Sequence, residues 1–135
     1  MTPKEFAIKW FGALDAKNFD QLKSLMADNH MFKNPVVPEP LNRDNHLGMM
    51  QQMMTSFAGS HTIEQTVSEG DWVAIRGRWT GKHVSDFNGI PATGKPVDFT
   101  FTDIMHVVNG KLAEESMEWN AMTLMTQIGA IPQPS

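Results

Sequence analysis

Asp103 and Glu115 are the two residues whose type and placement suggest chemistry. In Val97–Val108, the residues Val97, Phe99, Phe101, Met105 and Val107 fall on one face of an alternating pattern, with Thr100, Thr102 and His106 on the other. In Lys111–Trp119, Ala113, Met117 and Trp119 share a face. Alternation of this kind predicts two half-buried strands, and Asn109-Gly110 between them is a hairpin signal. A two-residue loop pairs Val108 with Lys111 and sets odd positions against even ones. A three-residue loop with Gly110 left-handed pairs Val107 with Lys111 and keeps the apolar sets together. The buried face governs register, so the three-residue loop is expected, with Asp103 directly opposite Glu115 on the apolar face. Two carboxyl groups facing each other in a core cannot both ionise cheaply, and one keeps its proton. Such a pair can remove a proton alpha to a carbonyl or activate water.

Other polar residues carry paired readings. Asn34, ahead of Pro35, either donates to a ligand carbonyl or closes an Asx turn. His83 ends a strand beyond Gly77 and Gly81, and either orients a ligand oxygen or fixes the turn through Thr93. Phe99, Phe101, Met117 and Trp119 are packing residues that would also wall a ligand. Met49, Met50, Met53 and Met54 form two pairs at helical i, i+4 spacing, which suits core filling and also a deformable wall for an apolar ligand, with Met50 and Met54 named as contacts. His30, His46 and His61 show no ligand spacing; without His-x-His or Glu-x-x-His, no metal is expected. No cofactor is expected either. The sequence contains no nucleotide loop, nucleophile elbow or basic-aromatic patch.

The elements that position these residues follow from punctuation. Thr2-Pro3-Lys4-Glu5 is a capping box, and Phe6, Trp10, Ala13 and Leu14 continue at helical spacing, predicting a helix over about 3–16. Asn18 caps a short second helix. A brief strand over His30–Lys33 ends at Asn34-Pro35. Asp44 or Asn45 caps a third helix running to Phe57. Strands follow over His61–Ser68, with Ile63, Gln65 and Val67 on one side, and over Trp72–Thr80, with Val73, Ile75 and Trp79 inward. Gly81–Lys95 is a glycine-rich connection. Ala121–Ile128 is a helix stopped by Gly129, and Pro132 and Pro134 mark a loose tail. Helices first and strands after predict an α+β fold. It is cone-shaped, with three N-terminal helices packed on a curved, mostly antiparallel sheet that encloses a pocket.

The 135 residues fit one domain with one substantial core. A net charge of −4 disfavours nucleic acid as a partner. The absence of cysteine excludes disulfides and thiolate chemistry. No apolar run approaches membrane-spanning length, and Met-Thr-Pro-Lys-Glu lacks the apolar core of a signal peptide, so a cytoplasmic protein without membrane contact is expected. The uncovered sheet face carries Arg76, Arg78, Thr100, Thr102, Ile104 and His106 and is expected to form a homodimer.

Several segments together carry a family resemblance. They are Glu69-Gly70-Asp71-Trp72-Val73, Gly81-Lys82-His83, Gly89-Ile90-Pro91-Ala92-Thr93-Gly94-Lys95, Asn109-Gly110-Lys111-Leu112 and the run from Leu124 to Pro132. In that order, after a helix–helix–Asn34-Pro35 start, the chain resembles the SnoaL-like polyketide cyclases over nearly its whole length. The resemblance implies the cone-shaped fold shared by ketosteroid isomerase and nuclear transport factor 2, with a ligand pocket. It places a His-x-Asp pair, whose Asp is the general acid/base, on the last strand, where this chain has Glu115-Ser116-Met117. Met117 cannot move a proton. Asp103 takes a second polar position that is often His, Phe101 a Gln position, and Asn34 a ligand-contact position. The expected function is therefore cofactor-independent isomerisation, cyclisation or hydration of a small apolar carbonyl compound by Asp103 and Glu115. The alternative is a binding protein that kept the pocket and lost the chemistry.

Overall fold

The computed structural model describes residues 1–132. Its elements are α1 (Pro3–Asp15), α2 (Phe19–Ser24), β1 (Met26–Lys33), α3 (Arg43–Ser56), β2 (Phe57–Glu69), β3 (Trp72–His83), β4 (Pro96–Val108), β5 (Lys111–Trp119) and α4 (Ala121–Gln127). The five strands form one sheet in the order β1-β5-β4-β3-β2, antiparallel except where β1 runs parallel to β5. The fold is thus α+β, with α1 and α2 ahead of the sheet, α3 between β1 and β2, and a short closing helix. Among the described residues, no helix is long and apolar enough to cross a membrane.

Local signals set the boundaries. The Thr2 hydroxyl accepts from the Glu5 amide, and the Glu5 carboxylate returns the bond, as the capping box requires. Asn18, Asn42 and Asn120 cap the other three helices by accepting from the backbone amide three residues on. The cap of α3 is Asn42, not Asp44 or Asn45. Asp44 instead lies in the first turn, where its charge suits the helix dipole. β1 is longer than expected because its first part joins β5 before an irregularity in the pairing. Pro134 lies outside the described residues.

The turn at Asn109-Gly110 corrects the expected register. Both residues have positive φ, 52° and 72°, and Val108 pairs with Lys111 across a two-residue loop. A bulge then restores the apolar phase. Val107 faces Leu112 and His106 faces Glu114, leaving Ala113 as the extra residue. Beyond it, Met105 pairs with Glu115, Asp103 with Met117 and Phe101 with Trp119. Asp103 is therefore the diagonal neighbour of Glu115, not its direct partner. Diagonal neighbours on one face remain within reach of long side chains. A second bulge at Glu64 breaks the phase of β2, so that Ile63 pairs with Gly77 but Thr66 with Ile75. Val67, expected beside Ile63, is therefore exposed.

Two apolar clusters fill the space inside the bent sheet. The larger gathers Phe6, Trp10, Phe11 and Leu14 of α1 with Val73, Ile75, Phe101, Met105 and Leu112 of the sheet. The smaller joins Phe57, Trp79, Phe87 and Val97 to Leu124 and Ile128 beyond the sheet end. Between them the cone stays open.

Candidate functional site

The open space is a cavity of about 330 Å³. Trp10 and Leu14 of α1, Met49, Met50, Met53 and Met54 of α3, and Phe99, Phe101, Met117 and Trp119 of the sheet supply much of its apolar wall. Its polar side chains include Asn34, His46, His61 and Glu115. All four methionines line it, and Met50, Met53 and Met54 also pack with the core. Asn34 closes the expected turn, its side-chain oxygen accepting from the Val36 amide at 2.9 Å, and the residue also lines the cavity.

Two expected site residues are placed differently. His83 does not line the cavity. It is fully buried, stacked on Phe57 with ring centroids 5.1 Å apart. Its Nδ1 lies 3.0 Å from the Thr93 hydroxyl and accepts from the Thr93 amide, so the turn-fixing role is the one observed. Asp103 is also fully buried but lies behind the cavity wall, and Glu115 alone presents a carboxyl group to the cavity.

Asp103 Oδ1, Asp103 Oδ2 and Glu115 Oε1 are buried without a hydrogen-bond partner among the described residues. Carboxylate oxygens only accept, so the two neighbouring groups can bond to each other only when one of them carries a proton. Burial pushes the Asp103 carboxyl well above the usual carboxylate range, and the Glu115 charge and hydrogen bond push it further. Burial also raises Glu115, while the bond from Asp103 acts in the opposite direction. Asp103 therefore keeps its proton most firmly, and Glu115 is the more acidic of the pair.

Sequence spacing did not reveal what stands on the other side of Glu115. His46, on the first turns of α3, has Nε2 3.6 Å from Glu115 Oε1. Its Nδ1 is 2.8 Å from His30 Nε2, and His30 Nδ1 is 3.0 Å from the Leu112 carbonyl oxygen. Protons can be assigned along this chain. A carbonyl only accepts, so His30 Nδ1 donates and neutral His30 leaves a lone pair on Nε2. His46 Nδ1 must then donate to it, which leaves a lone pair on His46 Nε2 facing Glu115. Burial, reinforced by the neighbouring His30, holds the His46 pKa well below its ordinary 6.5. The raised Glu115 carboxyl thus has an imidazole acceptor beside it, 3.6 Å away.

His30, His46 and Glu115 bring metal-ligating atoms within 4.8 Å of one another. The two imidazoles, however, lie in one plane, 4° apart, with centroids at 5.0 Å and facing nitrogens at 2.8 Å. That is a head-on N–H···N hydrogen bond. Two lone pairs converging on one ion would meet at an angle, with the nitrogens further apart. The arrangement suits proton holding.

The displaced pKa values make stability depend on pH. The unfolded carboxyls ionise near their ordinary 3.8 and 4.5, whereas the folded ones hold their protons to higher pH. Above that ordinary range the folded chain binds more protons than the unfolded one, so these groups lower stability as pH rises. His30 and His46 act on the other side: below about 6.5 the unfolded chain takes up protons that the folded chain refuses. Glu115→Gln removes one carboxyl contribution and keeps the shape. Its melting temperature is expected to gain on wild type as pH is raised from 4.5 toward 6.5 and beyond, as read by calorimetry across pH. A constant difference would mean that Glu115 is ionised in the fold.

Comparison with known proteins agrees with this architecture. The family model for SnoaL-like polyketide cyclases matches residues 6–128. IdmH from Streptomyces antibioticus, a candidate polyketide cyclase, is 25% identical with a TM-score of 0.85, over 96% of this chain and 99% of that one. TsrD from Streptomyces laurentii is 22% identical with a TM-score of 0.81, over 95% of each chain. A Catenulispora acidiphila protein with a ketosteroid isomerase-like fold, in complex with trimethylamine, is 17% identical with a TM-score of 0.78, over 96% and 95%. Among functionally curated proteins, none matches the sequence.

Proposed function

Because the chain belongs to the SnoaL-like polyketide cyclase family, we propose that it performs acid/base chemistry on a small apolar carbonyl compound with its own carboxyl groups. One observation carries this reading: a buried carboxyl, Glu115, opens into an otherwise largely apolar cavity and is backed by a second, fully buried carboxyl, Asp103. A carboxylic acid kept neutral by its surroundings can donate a hydrogen bond to a ligand oxygen and stabilise the negative charge that grows there when a neighbouring C–H bond breaks. Water is largely displaced by a ligand of matching size, which strengthens that bond. Met117 occupies the position where the resemblance implies the cyclase acid/base, so the proton-transfer role falls to Glu115. Isomerisation and ring closure both fit a site of this kind. The test is hydrogen–deuterium exchange alpha to the carbonyl of a panel of bicyclic ketones in heavy water, followed by proton NMR. Catalysed exchange supports an enzyme. Tight binding without exchange supports the second reading, a binding protein, which the loss of the acid/base at Met117 favours.

The partner we propose for the open sheet face is a second copy of this chain. Trp72 and Ile104 are each 42% exposed there, and the Trp72 ring lies parallel to His106 with centroids 4.2 Å apart, forming a flat apolar platform. Sedimentation should show a species of twice 15.1 kDa that dissociates on Ile104→Lys. A single 15.1 kDa species at tens of micromolar would contradict it.

A further inference from the structure

The imidazole beside Glu115 belongs to the same cavity wall. His46 lines the cavity from α3, and its ring is held by its neighbours. Phe32 of β1 stacks on it with centroids 3.8 Å apart, and Trp10 of α1 lies at 6.4 Å. His30 of β1 accepts from its Nδ1 at 2.8 Å and is fixed in turn by the Leu112 carbonyl. Of the groups around the ring, His30 and Glu115 are the titratable ones. Nε2 is left as the lone-pair nitrogen, and it makes no hydrogen bond among the described residues. Its separation from Glu115 Oε1, 3.6 Å, is too long for a hydrogen bond between the two. The proton of one group and the lone pair of the other therefore both remain open to a ligand. His61 is a second imidazole in the cavity wall, with its Nδ1 2.6 Å from Asp15 Oδ1. It sits in register with Trp79 and Phe99, however, whereas Glu115 pairs with Met105, six residues further along β4. The oxygen of a ketone and the carbon beside its carbonyl are two bonds apart, a span that His46 and Glu115 match and His61 does not.

We propose that His46 is the base that works with the Glu115 acid, and that His30 positions it. This rests on the acid/base reading above and supplies the group that takes the carbon-bound proton. His46 Nε2 takes the proton of the ligand C–H bond. The electron pair of that bond becomes the C=C bond of the enol, and the carbonyl π pair moves to oxygen, which takes the Glu115 proton. The imidazolium and carboxylate so formed are neighbours across 3.6 Å. Opposite charges created side by side in an apolar wall hold each other, where either alone would be costly. Asp103, whose burial favours its protonated form, can donate to the same carboxylate. His30 keeps the His46 proton on Nδ1 before the step, so that the lone pair waits at Nε2. Reversal returns both protons, so the step consumes no co-reactant.

The test uses the full chain with β-tetralone as ketone and β-naphthol as a stable stand-in for the enol. His46→Gln is expected to slow β-tetralone exchange on the order of 10²–10⁴-fold. His30→Leu removes the acceptor for His46 Nδ1. It should let the ring proton move to Nε2, visible in nitrogen-15 NMR, and slow exchange, while His30→Gln, which keeps an acceptor, restores part of both. Burial, with His30 beside it, holds the His46 pKa well below 6.5, so wild-type exchange should persist below pH 6.5, where an ordinary imidazole base is protonated. β-Naphthol should shift the His46 ring signals in the wild type, a reading that needs no variant to fold. Exchange lost in Glu115→Gln but retained in His46→Gln overturns the inference and leaves the Glu115 acid standing, as does a loss of exchange centred on the ordinary 6.5. Absence of exchange by the wild type overturns both. β-Naphthol that leaves the His46 ring signals unmoved also overturns the inference.

Discussion

Glu115→Gln is expected to reduce ketone α-proton exchange on the order of 10²–10⁴-fold, the usual contribution of a positioned acid or base, while the fold survives. Both halves follow from one fact. The carboxyl is buried in the cavity wall, where burial favours its uncharged form, so an amide of the same shape fits in its place. What the amide lacks is a proton it can give up. Asp103→Asn should have a smaller effect on exchange, because Asp103 acts through Glu115 and does not line the cavity. Parallel melting curves and exchange rates for the two variants check the ordering. Equal losses would mean that the carboxyl pair works as one unit.

Gly81→Ala is expected to be the most damaging small substitution in the sheet. Gly59 and Gly81 face each other across β2 and β3 beneath the Trp79 ring. A methyl group on Gly81 would meet the Ala58 carbonyl oxygen, the Trp79 ring and the Gly59 backbone. Of these only the ring can move, and it walls the cavity. Overpacking of this kind costs about 1–3 kcal/mol, occasionally more, and should also weaken ligand binding. Gly12 in α1 is the control: a methyl there meets nothing within 4 Å, so Gly12→Ala should stabilise the chain by roughly 0.5–1 kcal/mol through helix propensity. Urea unfolding midpoints of the two variants should move in opposite directions. Similar midpoints would show that the sheet adjusts at Gly81.

The elements were legible because their caps and turns are written locally: Thr2 with Glu5, Asn18, and Asn109-Gly110. The register of the last hairpin was not. Turn chemistry favoured two residues and the apolar phase favoured three, and the chain satisfies both by placing a bulge at Ala113. No residue type marks that bulge, nor the one at Glu64 that turns Val67 outward.

The site was half legible. Both carboxyls point inward, as alternation required, and the methionines face the cavity. His30 alternates with Phe32 and Asn34, and His46 forms a helical stripe with Met50 and Met54, so each histidine lay on a buried face that patterning could have exposed. Their meeting depends on the parallel pairing of β1 with β5 and on the packing of α3 over β1, neither of which a search for metal-ligand spacing can find. The Asp15–His61 contact joins residues 46 positions apart, at the end of a helix and on a strand, and no local pattern connects them.

The most direct measurement is a carbon-detected NMR titration of the Asp103 and Glu115 carboxyl groups in wild type and in Glu115→Gln. Both groups should remain protonated well above the ordinary carboxylate range and titrate as a coupled pair. Removing the Glu115 charge should lower the Asp103 pKa, because that charge is one of the causes that raise it. Independent titration of either carboxyl near its ordinary 3.8 or 4.5 would contradict a neutral acid in the cavity wall and leave the binding-protein reading in its place.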